Sequence, residues 1–263
     1  MFRFGSKLLQ LHVGPRQKPF SVHEDILCLR STYFKDRFQK ERKVIEGQCV
    51  ICHGDLDTLK KPLTYCKECG NNLHEHCKER WSRTSNTFPT CRTDWDETPL
   101  IRSANLDEVN ADGYHVYAQW LYGCNIPTFA ADKEDVWLRI TRLVKSHALG
   151  EISNDMEFVQ VVRKEIVKCS QEIGYVVTAA IQKAYEITEG PCALRKFFIE
   201  LYLFGTYKCR ILLLDNKQVL ADLVTSLLEK VKYRDSGDVW KAVVRAGHLS
   251  QDGSSTDQND DGE

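Results

Sequence analysis

The feature that most constrains this chain is a dense run of cysteines and histidines in its N-terminal third. Six of its 11 cysteines lie between positions 49 and 91, together with three histidines. The candidate ligands form three or four successive pairs: Cys49 and Cys52, Cys66 and Cys69, His74 and Cys77, and Cys91 with Asp94 as the fourth. Zinc prefers four thiolate or imidazole ligands in a tetrahedral arrangement and also accepts carboxylate oxygen. The spacing therefore predicts one or two structural zinc ions.

The residues around these pairs, 46–96, show little helical periodicity and have too few apolar side chains to build a core. Metal ligation would then have to supply much of the folding free energy, on the order of 10 kcal/mol per structural zinc site. We interpret residues 46–97, hereafter the cysteine-rich segment, as a module inserted into a larger domain. A redox Cys-x-x-Cys pair or chance clustering is the alternative interpretation.

The rest of the composition indicates an intracellular protein, cytoplasmic and/or nuclear. The N-terminal residues lack the apolar stretch of a secretory signal, and no window approaches the ~20 apolar residues that a membrane helix needs. In such a compartment clustered cysteines favour a metal site over a disulfide framework. With 36 Lys+Arg against 37 Asp+Glu there is no basic surplus, which disfavours nucleic acid as a partner.

Residues before the cysteine-rich segment predict a β-hairpin and two helices. Apolar residues alternate with polar ones on either side of a Gly14-Pro15 turn, as in paired strands. Helical spacing follows at 23–29 and again at 31–39, where Ser31 is the expected N-cap. Strands followed by helices indicate an α+β fold.

Residues after the segment predict a mostly helical region. A helix is expected from about Asp112, ended by Gly123. Further helices are predicted at 132–150, 154–169, 170–186, 191–204, 216–232 and 237–247, with Asn154 and Pro191 at helix starts. Residues 250–263 have no large apolar side chain to bury, so we expect a disordered acidic tail over 249–263.

Two phrases in the cysteine-rich segment identify a family likeness: Cys69-Gly70-Asn71-Asn72-Leu73-His74 and Cys77-Lys78-Glu79-Arg80-Trp81. Together with the ligand spacing, they resemble a RING finger. In that family the first and third ligand pairs hold one zinc ion, and the second and fourth pairs hold the other. The resemblance implies a first site of four ligands, Cys49, Cys52, His74 and Cys77, and a second site that begins with Cys66 and Cys69. His76 is a spare imidazole that could replace His74.

The fourth ligand pair departs from the family pattern. RING fingers usually end in Cys-Pro-x-Cys-Arg, whereas this chain has Phe88-Pro89-Thr90-Cys91-Arg92. A phenyl ring cannot bind zinc. Either Cys91 and Asp94 form a shifted last pair, or the second site is incomplete.

The RING resemblance implies a docking function and not hydrolysis or redox catalysis. A RING finger docks a ubiquitin-conjugating enzyme and holds its thioester-linked ubiquitin in a reactive pose. By position in the family, Ile51, Trp81 and Pro89 would form the apolar docking surface, and Arg92 would orient ubiquitin. The alternative is a small module, stabilised by metal, that binds some other protein or none.

Three phrases outside the cysteine-rich segment point to a second family. They are the strand-to-helix phrase from Phe20 to Phe34, the helix end Gln119-Trp120-Leu121-Tyr122-Gly123, and the helical phrase from Leu194 to Phe204. They resemble the BTB (POZ) domain in the form frequent in fungal proteins. The resemblance implies a discontinuous α/β interaction domain over 7–45 and 98–150, with the RING-like module inserted and an α-helical region at 151–248 behind it. Many BTB domains dimerise, and some carry substrates to cullin scaffolds.

Together the two resemblances favour a protein-interaction adaptor linked to ubiquitin ligase assemblies. Its expected partners are a ubiquitin-conjugating enzyme, a cullin-type scaffold or another BTB protein. An active RING-type ubiquitin ligase is the alternative. A third class, zinc-dependent DNA binding, is disfavoured because residues 46–96 hold seven Lys+Arg against eight Asp+Glu.

Overall fold

The structure, a computed structural model, describes residues 5–95, 101–126, 136–173, 178–204 and 216–231. The chain divides into two compact units, Met1–Arg210 and Ile211–Glu263. The first unit contains both strands and helices, which confirms the predicted α+β class.

The elements follow one another in an order that keeps the predicted plan. The first unit opens with strands β1 (Leu8–Val13) and β2 (Lys18–His23) and helices α1 (Glu24–Arg30) and α2 (Thr32–Phe38). The cysteine-rich segment contains strands β3 (Leu63–Tyr65) and β4 (Asn72–His74) and helix α3 (Glu75–Ser82). Strand β5 (Ile101–Leu106) follows, and then helices α4 (Ala111–Gly123), α5 (Val136–Ile152), α6 (Met156–Ile173), α7 (Thr178–Ile187) and α8 (Ala193–Phe204). In the second unit the described residues form helix α9 (Lys217–Val231).

A three-stranded sheet lies at the start of the first unit, in the order β2-β1-β5. Strands β1 and β2 form the predicted antiparallel hairpin, and the alternate β1 residues Leu9, Leu11 and Val13 are fully buried. Strand β5 pairs in parallel with β1, beginning with Leu8 opposite Ile101. Alternation therefore puts one face of the central strand into the core.

Strand β5 was not predicted, and neither was helix α3. The β5 sequence Ile-Arg-Ser-Ala-Asn-Leu is poor in strong strand formers, and most of its residues are exposed or half-exposed. Its conformation depends on pairing with a strand more than 90 positions earlier, which no local pattern reveals. Helix α3 is short and strongly polar, so it also lacks an apolar stripe.

Within the described residues, a core cluster of aromatic side chains centres on α4. The ring of Tyr117 lies 4.8 Å from that of Phe158 and 6.0 Å from that of Trp120, and each of these three residues is at most 1% exposed. Gly113 lets α5 come close, since a Cβ there would meet the Lys145 carbonyl oxygen at 2.7 Å. This packing places one face of α4 in the core of the first unit.

The helix ends correct some sequence details. Ser31 caps α2 as predicted, because its hydroxyl accepts a hydrogen bond from the Phe34 N–H at 3.2 Å. The left-handed C-cap residue that follows α4 is Cys124, with φ 53°. At the start of α6, Asp155 accepts from the Phe158 N–H, whereas Asn154 lies one residue earlier. The last residue of α4 is therefore Gly123, as predicted, with Cys124 following it, and the start of α6 predicted at Asn154 is one residue out of register.

The remaining helix predictions agree in existence and differ at their ends. Helix α6 runs through the expected break at 169–170, and α5 continues two residues past the expected domain boundary at 150. The helix predicted at 237–247 and the tail predicted at 249–263 lie outside the described residues. No described helix is long and apolar enough to cross a membrane.

Candidate metal centre

Seven of the predicted ligands come together in two groups. The ligand atoms within each group all lie within 4.8 Å of one another. The first group is Cys49, Cys52, His74 and Cys77, and the second is Cys66, Cys69 and Cys91. The two groups alternate along the chain, so that ligands of one group are separated in sequence by ligands of the other.

The first group has the dimensions of a tetrahedral zinc site. The Nδ1 atom of His74 lies 3.3 Å from the Cys52 sulfur and 3.8 Å from the Cys77 sulfur. With Zn–S near 2.3 Å and Zn–N near 2.0 Å, tetrahedral ligands are about 3.5–3.8 Å apart. The residues therefore fit a closed four-ligand site.

The orientation of His74 also fits metal binding. Its ring is fully buried at the end of β4, and Nε2 lies 3.0 Å from the Asp55 carbonyl oxygen. If Nε2 carries the proton and donates it there, the lone pair of Nδ1 faces the three sulfurs, which is the usual outer-shell arrangement of a metal-bound imidazole. His76 is exposed and approaches only the Cys77 sulfur, at 3.3 Å, so the structure selects His74 over the spare imidazole.

Three turns in the cysteine-rich segment share one backbone pattern, here called a knuckle. In each knuckle, the N–H of the first residue donates a hydrogen bond to the carbonyl of the sixth residue. The N–H of the fifth residue donates a hydrogen bond to the carbonyl of the first residue. The first, fifth and sixth residues are Cys49, His53 and Gly54 in the first knuckle, Cys66, Gly70 and Asn71 in the second, and Phe88, Arg92 and Thr93 in the third. The fourth residue after the first has positive φ in each: 55° at His53, 72° at Gly70 and 60° at Arg92.

The two residues that flank a knuckle are β-paired with each other at its base. The pairs are Gln48 with Asp55, Tyr65 with Asn72, and Thr87 with Asp94. Asp94 therefore occupies the same position as Asp55 and Asn72, outside the ligand positions. It is exposed and is not part of either ligand group. The structure does not bring Asp94 to Cys91 as a shifted last pair.

Phe88 holds the first-ligand position of the third knuckle but serves as a core residue. It is 1% exposed, and its ring lies 5.0 Å from that of Trp95. It belongs to a small buried cluster with Leu73 and the cysteines 49, 66 and 77. The expectation that this segment lacks a core of its own is thus corrected: a small core lies between the ligand groups. The third knuckle therefore keeps the backbone turn of the other two, but its first side chain packs in the core and offers no ligand atom.

The thiols of the first group differ in how readily they ionise. Burial opposes ionisation of Cys49, yet backbone hydrogen bonds from residues including His74 and Cys52 lower its pKa to about 6. Burial, followed by the neighbouring thiols of Cys52 and Cys49, raises the pKa of Cys77 to about 12. One thiol ionises readily, and its charge then opposes ionisation of the next.

The second group repeats this division. Hydrogen bonds from Thr93 lower the pKa of Cys91 to about 7, whereas burial and the thiols of Cys91 and Cys66 raise the pKa of Cys69 to about 11. Thiolates held this close repel one another unless a cation lies between them, and a metal ion removes the remaining protons outright. Both groups are close enough to hold a metal ion, and their donor chemistry suits zinc.

The predicted docking residues lie around the first and third knuckles. Ile51 is half-buried against the segment core, and Pro89 is half-buried in the third knuckle. The Trp81 Nε1–H on α3 donates to the Thr87 carbonyl at 2.8 Å, which ties this helix to the third knuckle. Arg92 is exposed.

The chain that enters the segment, at Glu41 to Val44, is hydrogen-bonded to the second knuckle. The Lys43 N–H donates to the Gly70 carbonyl at 3.0 Å, and the Asn72 side chain donates to the carbonyls of Lys43 and Val44. A Cβ at residue 70 would lie 2.1 Å from the Glu41 carbonyl oxygen, so only glycine allows this approach. The second knuckle is thus in direct contact with the residues that lead into the cysteine-rich segment.

Arg42 joins the cysteine-rich segment to α1, a role that the sequence did not reveal. It is 6% exposed, with Nη1 2.6 Å from the Asp25 carboxylate and Nε donating to Asn72 Oδ1 at 2.8 Å. Its guanidinium also lies 5.1 Å from the centre of the Tyr65 ring. An arginine in a charge-balanced region carries no sequence signal of burial, because only the fold surrounds it with acceptors.

No protein-family model matches this chain. No solved structure matches it significantly.

Proposed function

We propose that this protein is an interaction adaptor, with a BTB/POZ-like scaffold that presents a RING-like zinc finger to partners linked to ubiquitin ligase assemblies. The observation that carries the proposal is the alternation of two ligand groups along one short segment. Pairs one and three form one group, and pairs two and four contribute to the other, which is the cross-braced order that the RING resemblance implies.

The chemistry of the first group supports binding over catalysis. Four protein ligands close a tetrahedral zinc site and leave no position for water or substrate. Zinc at Cys49, Cys52, His74 and Cys77 would supply folding free energy and hold the first knuckle and α3 in place.

The scaffold supports the BTB/POZ-like part of the proposal. His23 and Tyr122, which belong to two separate phrases of that resemblance, contact each other: Nδ1 of His23 lies 2.8 Å from the Tyr122 hydroxyl oxygen. Ser31, in the first phrase, also donates to the Ser153 carbonyl at 2.6 Å. The phrases therefore belong to one packed body, as a single interaction domain requires.

Binding to purified partners tests the adaptor. The full chain would be immobilised and exposed to a panel of ubiquitin-conjugating enzymes and cullin N-terminal domains, while light scattering follows self-association. We expect binding to at least one partner or a stable homodimer. Cys49→Ser should abolish contacts made through the finger, and Cys192→Ser, outside both ligand groups, should not. A monomer that binds none of these partners would refute the proposal.

An active RING-type ubiquitin ligase is the second candidate. Arg92 favours it, because this exposed residue directly follows Cys91 and comes from the same knuckle as Pro89. Discharge of ubiquitin from loaded conjugating enzymes onto free lysine tests it. Acceleration by the wild-type chain that Arg92→Ala removes would support ligase activity. No acceleration with any enzyme of the panel leaves the adaptor as the function.

A further inference from the structure

The second ligand group differs from the first in number and in exposure. We propose that Cys66, Cys69 and Cys91 form a three-thiolate site for a thiophilic divalent cation, whose fourth coordination position is open to an external sulfur or nitrogen donor. This inference rests on the proposed zinc finger but goes beyond it, since a RING-like finger needs only closed sites.

The three sulfurs are placed for one metal ion. All three lie within 4.8 Å of one another, and those of Cys66 and Cys91 are 3.6 Å apart. Thiolates around one zinc ion are separated by about 3.8 Å when each Zn–S bond is near 2.3 Å. Cys66 and Cys69 come from the second knuckle and Cys91 from the third, so two hydrogen-bonded turns hold them in position.

No fourth ligand is found among the described residues. The third knuckle would normally supply one from its first position, but Phe88 is there, with its ring packed against Trp95. Asp94 pairs with Thr87 at the base of the same knuckle and lies outside the group. The described residues thus provide three soft ligands where a closed structural site needs four.

Exposure of the group allows a donor to arrive from outside. Cys91 is exposed and Cys69 is half-buried, whereas only Cys66 is fully enclosed. In the first group, by contrast, three of the four ligands, Cys49, His74 and Cys77, are buried, and only Cys52 is exposed. Zinc with three protein ligands keeps an exchangeable position, and a thiolate-rich set favours sulfur and imidazole nitrogen over harder ligands.

Cobalt spectroscopy tests this site, because Co²⁺ replaces zinc and its visible absorption reports its ligands. The full chain, purified from cobalt-supplemented medium with a phosphine reductant, should hold two cobalt ions. The second should be released to a chelator at least about 10-fold more readily than the first, since even outer-shell partners are worth roughly 10–100-fold in metal affinity. Imidazole and 2-mercaptoethanol, added separately, should each shift the visible bands of the second ion only.

Two variants make the result decisive. Cys91→Ser should remove the second cobalt and keep the first. Phe88→Cys should bind the second ion as tightly as the first and abolish the response to added imidazole, because the fourth position is then filled. Two cobalt ions whose bands ignore both added ligands, or a first ion alone, would overturn the open site and leave the finger proposal standing. Loss of both ions would overturn both proposals.

Discussion

The aromatic core around α4 and the small core of the cysteine-rich segment are built in opposite ways. In the first, large side chains such as Trp120, Tyr117 and Phe158 remove apolar surface from water. In the second, thiols form much of the buried cluster around Leu73 and Phe88. Burial alone can stabilise the first core. The second brings together thiols that repel once ionised, so a bound cation would stabilise it.

Loss of a ligand in the first group should produce the largest difference between these regions. Cys49→Ser removes one of four ligands, and a structural zinc site contributes on the order of 10 kcal/mol to folding. We expect the cysteine-rich segment to unfold while α4 to α8 stay folded. Hydrogen exchange by mass spectrometry would locate the loss, and circular dichroism would measure the helix that remains.

The matched control is Cys192→Ser, a thiol outside both ligand groups. It should change neither measurement. One cooperative loss of all helical signal in Cys49→Ser would show that the two regions fold as a unit, contrary to the comparison.

Truncation in the aromatic core tests the other half of the comparison. Trp120→Ala leaves a cavity beside Tyr117 and Phe158 and should cost about 3–5 kcal/mol of unfolding free energy. Trp137→Ala, at a residue that is 42% exposed, should cost much less. Urea unfolding followed by circular dichroism measures both, with zinc content checked in the folded protein. Equal costs for the two variants would contradict the assignment of this core.

Removal of Arg42 should weaken the connection between the two regions. Arg42→Met leaves the partly buried Asp25 without its 2.6 Å partner, and we expect a loss of about 2–3 kcal/mol, since breaking a fully buried pair costs about 3–5 kcal/mol. The Lys43 amide should also exchange faster, because its acceptor is on the second knuckle.

The double variant Asp25→Asn/Arg42→Met separates charge from packing. It should recover part of the lost stability, because no unpaired carboxylate remains. If Arg42→Met changes neither the unfolding free energy nor the exchange of Lys43, the two regions are not joined through this residue.

Acid should destabilise the helical scaffold by a route independent of metal. Burial, followed by the charge of Arg163, lowers the pKa of His147 to about 3, against about 6.5 in an unfolded chain. The unfolded state therefore binds an additional proton as the pH falls from 6.5 towards 3. The contribution of the neutral histidine to the free energy of unfolding is fully present above pH 6.5. Below that pH it declines by up to about 1.4 kcal/mol per pH unit.

His147→Gln should remove this part of the pH dependence and leave that of the thiols and carboxyl groups. Burial raises the pKa of the neighbouring Glu151, which acts in the opposite direction and is present in both proteins. Denaturant unfolding at several pH values measures the difference. Parallel curves for wild type and His147→Gln would contradict the assignment.

Several features were predictable because they depend on short-range patterns. The hairpin, the helices from α4 to α9 and the Ser31 cap follow from periodicity and local hydrogen-bonding chemistry. The ligand pairs follow from the same reasoning, since two ligands on one turn need only a fixed spacing. Strand β5 escaped prediction because its partner is distant in the chain.

The kind of donor atoms at the candidate metal sites was therefore determined by the sequence itself. Cysteine and histidine carry these sulfur and nitrogen atoms wherever they fold. Only the tertiary structure decided which donors meet: it selected His74 over His76, left Asp94 at the base of a knuckle and turned Phe88 into a core residue. It also placed Arg42 between α1 and β4. These outcomes depend on where distant backbone segments cross, and spacing along the chain does not record that.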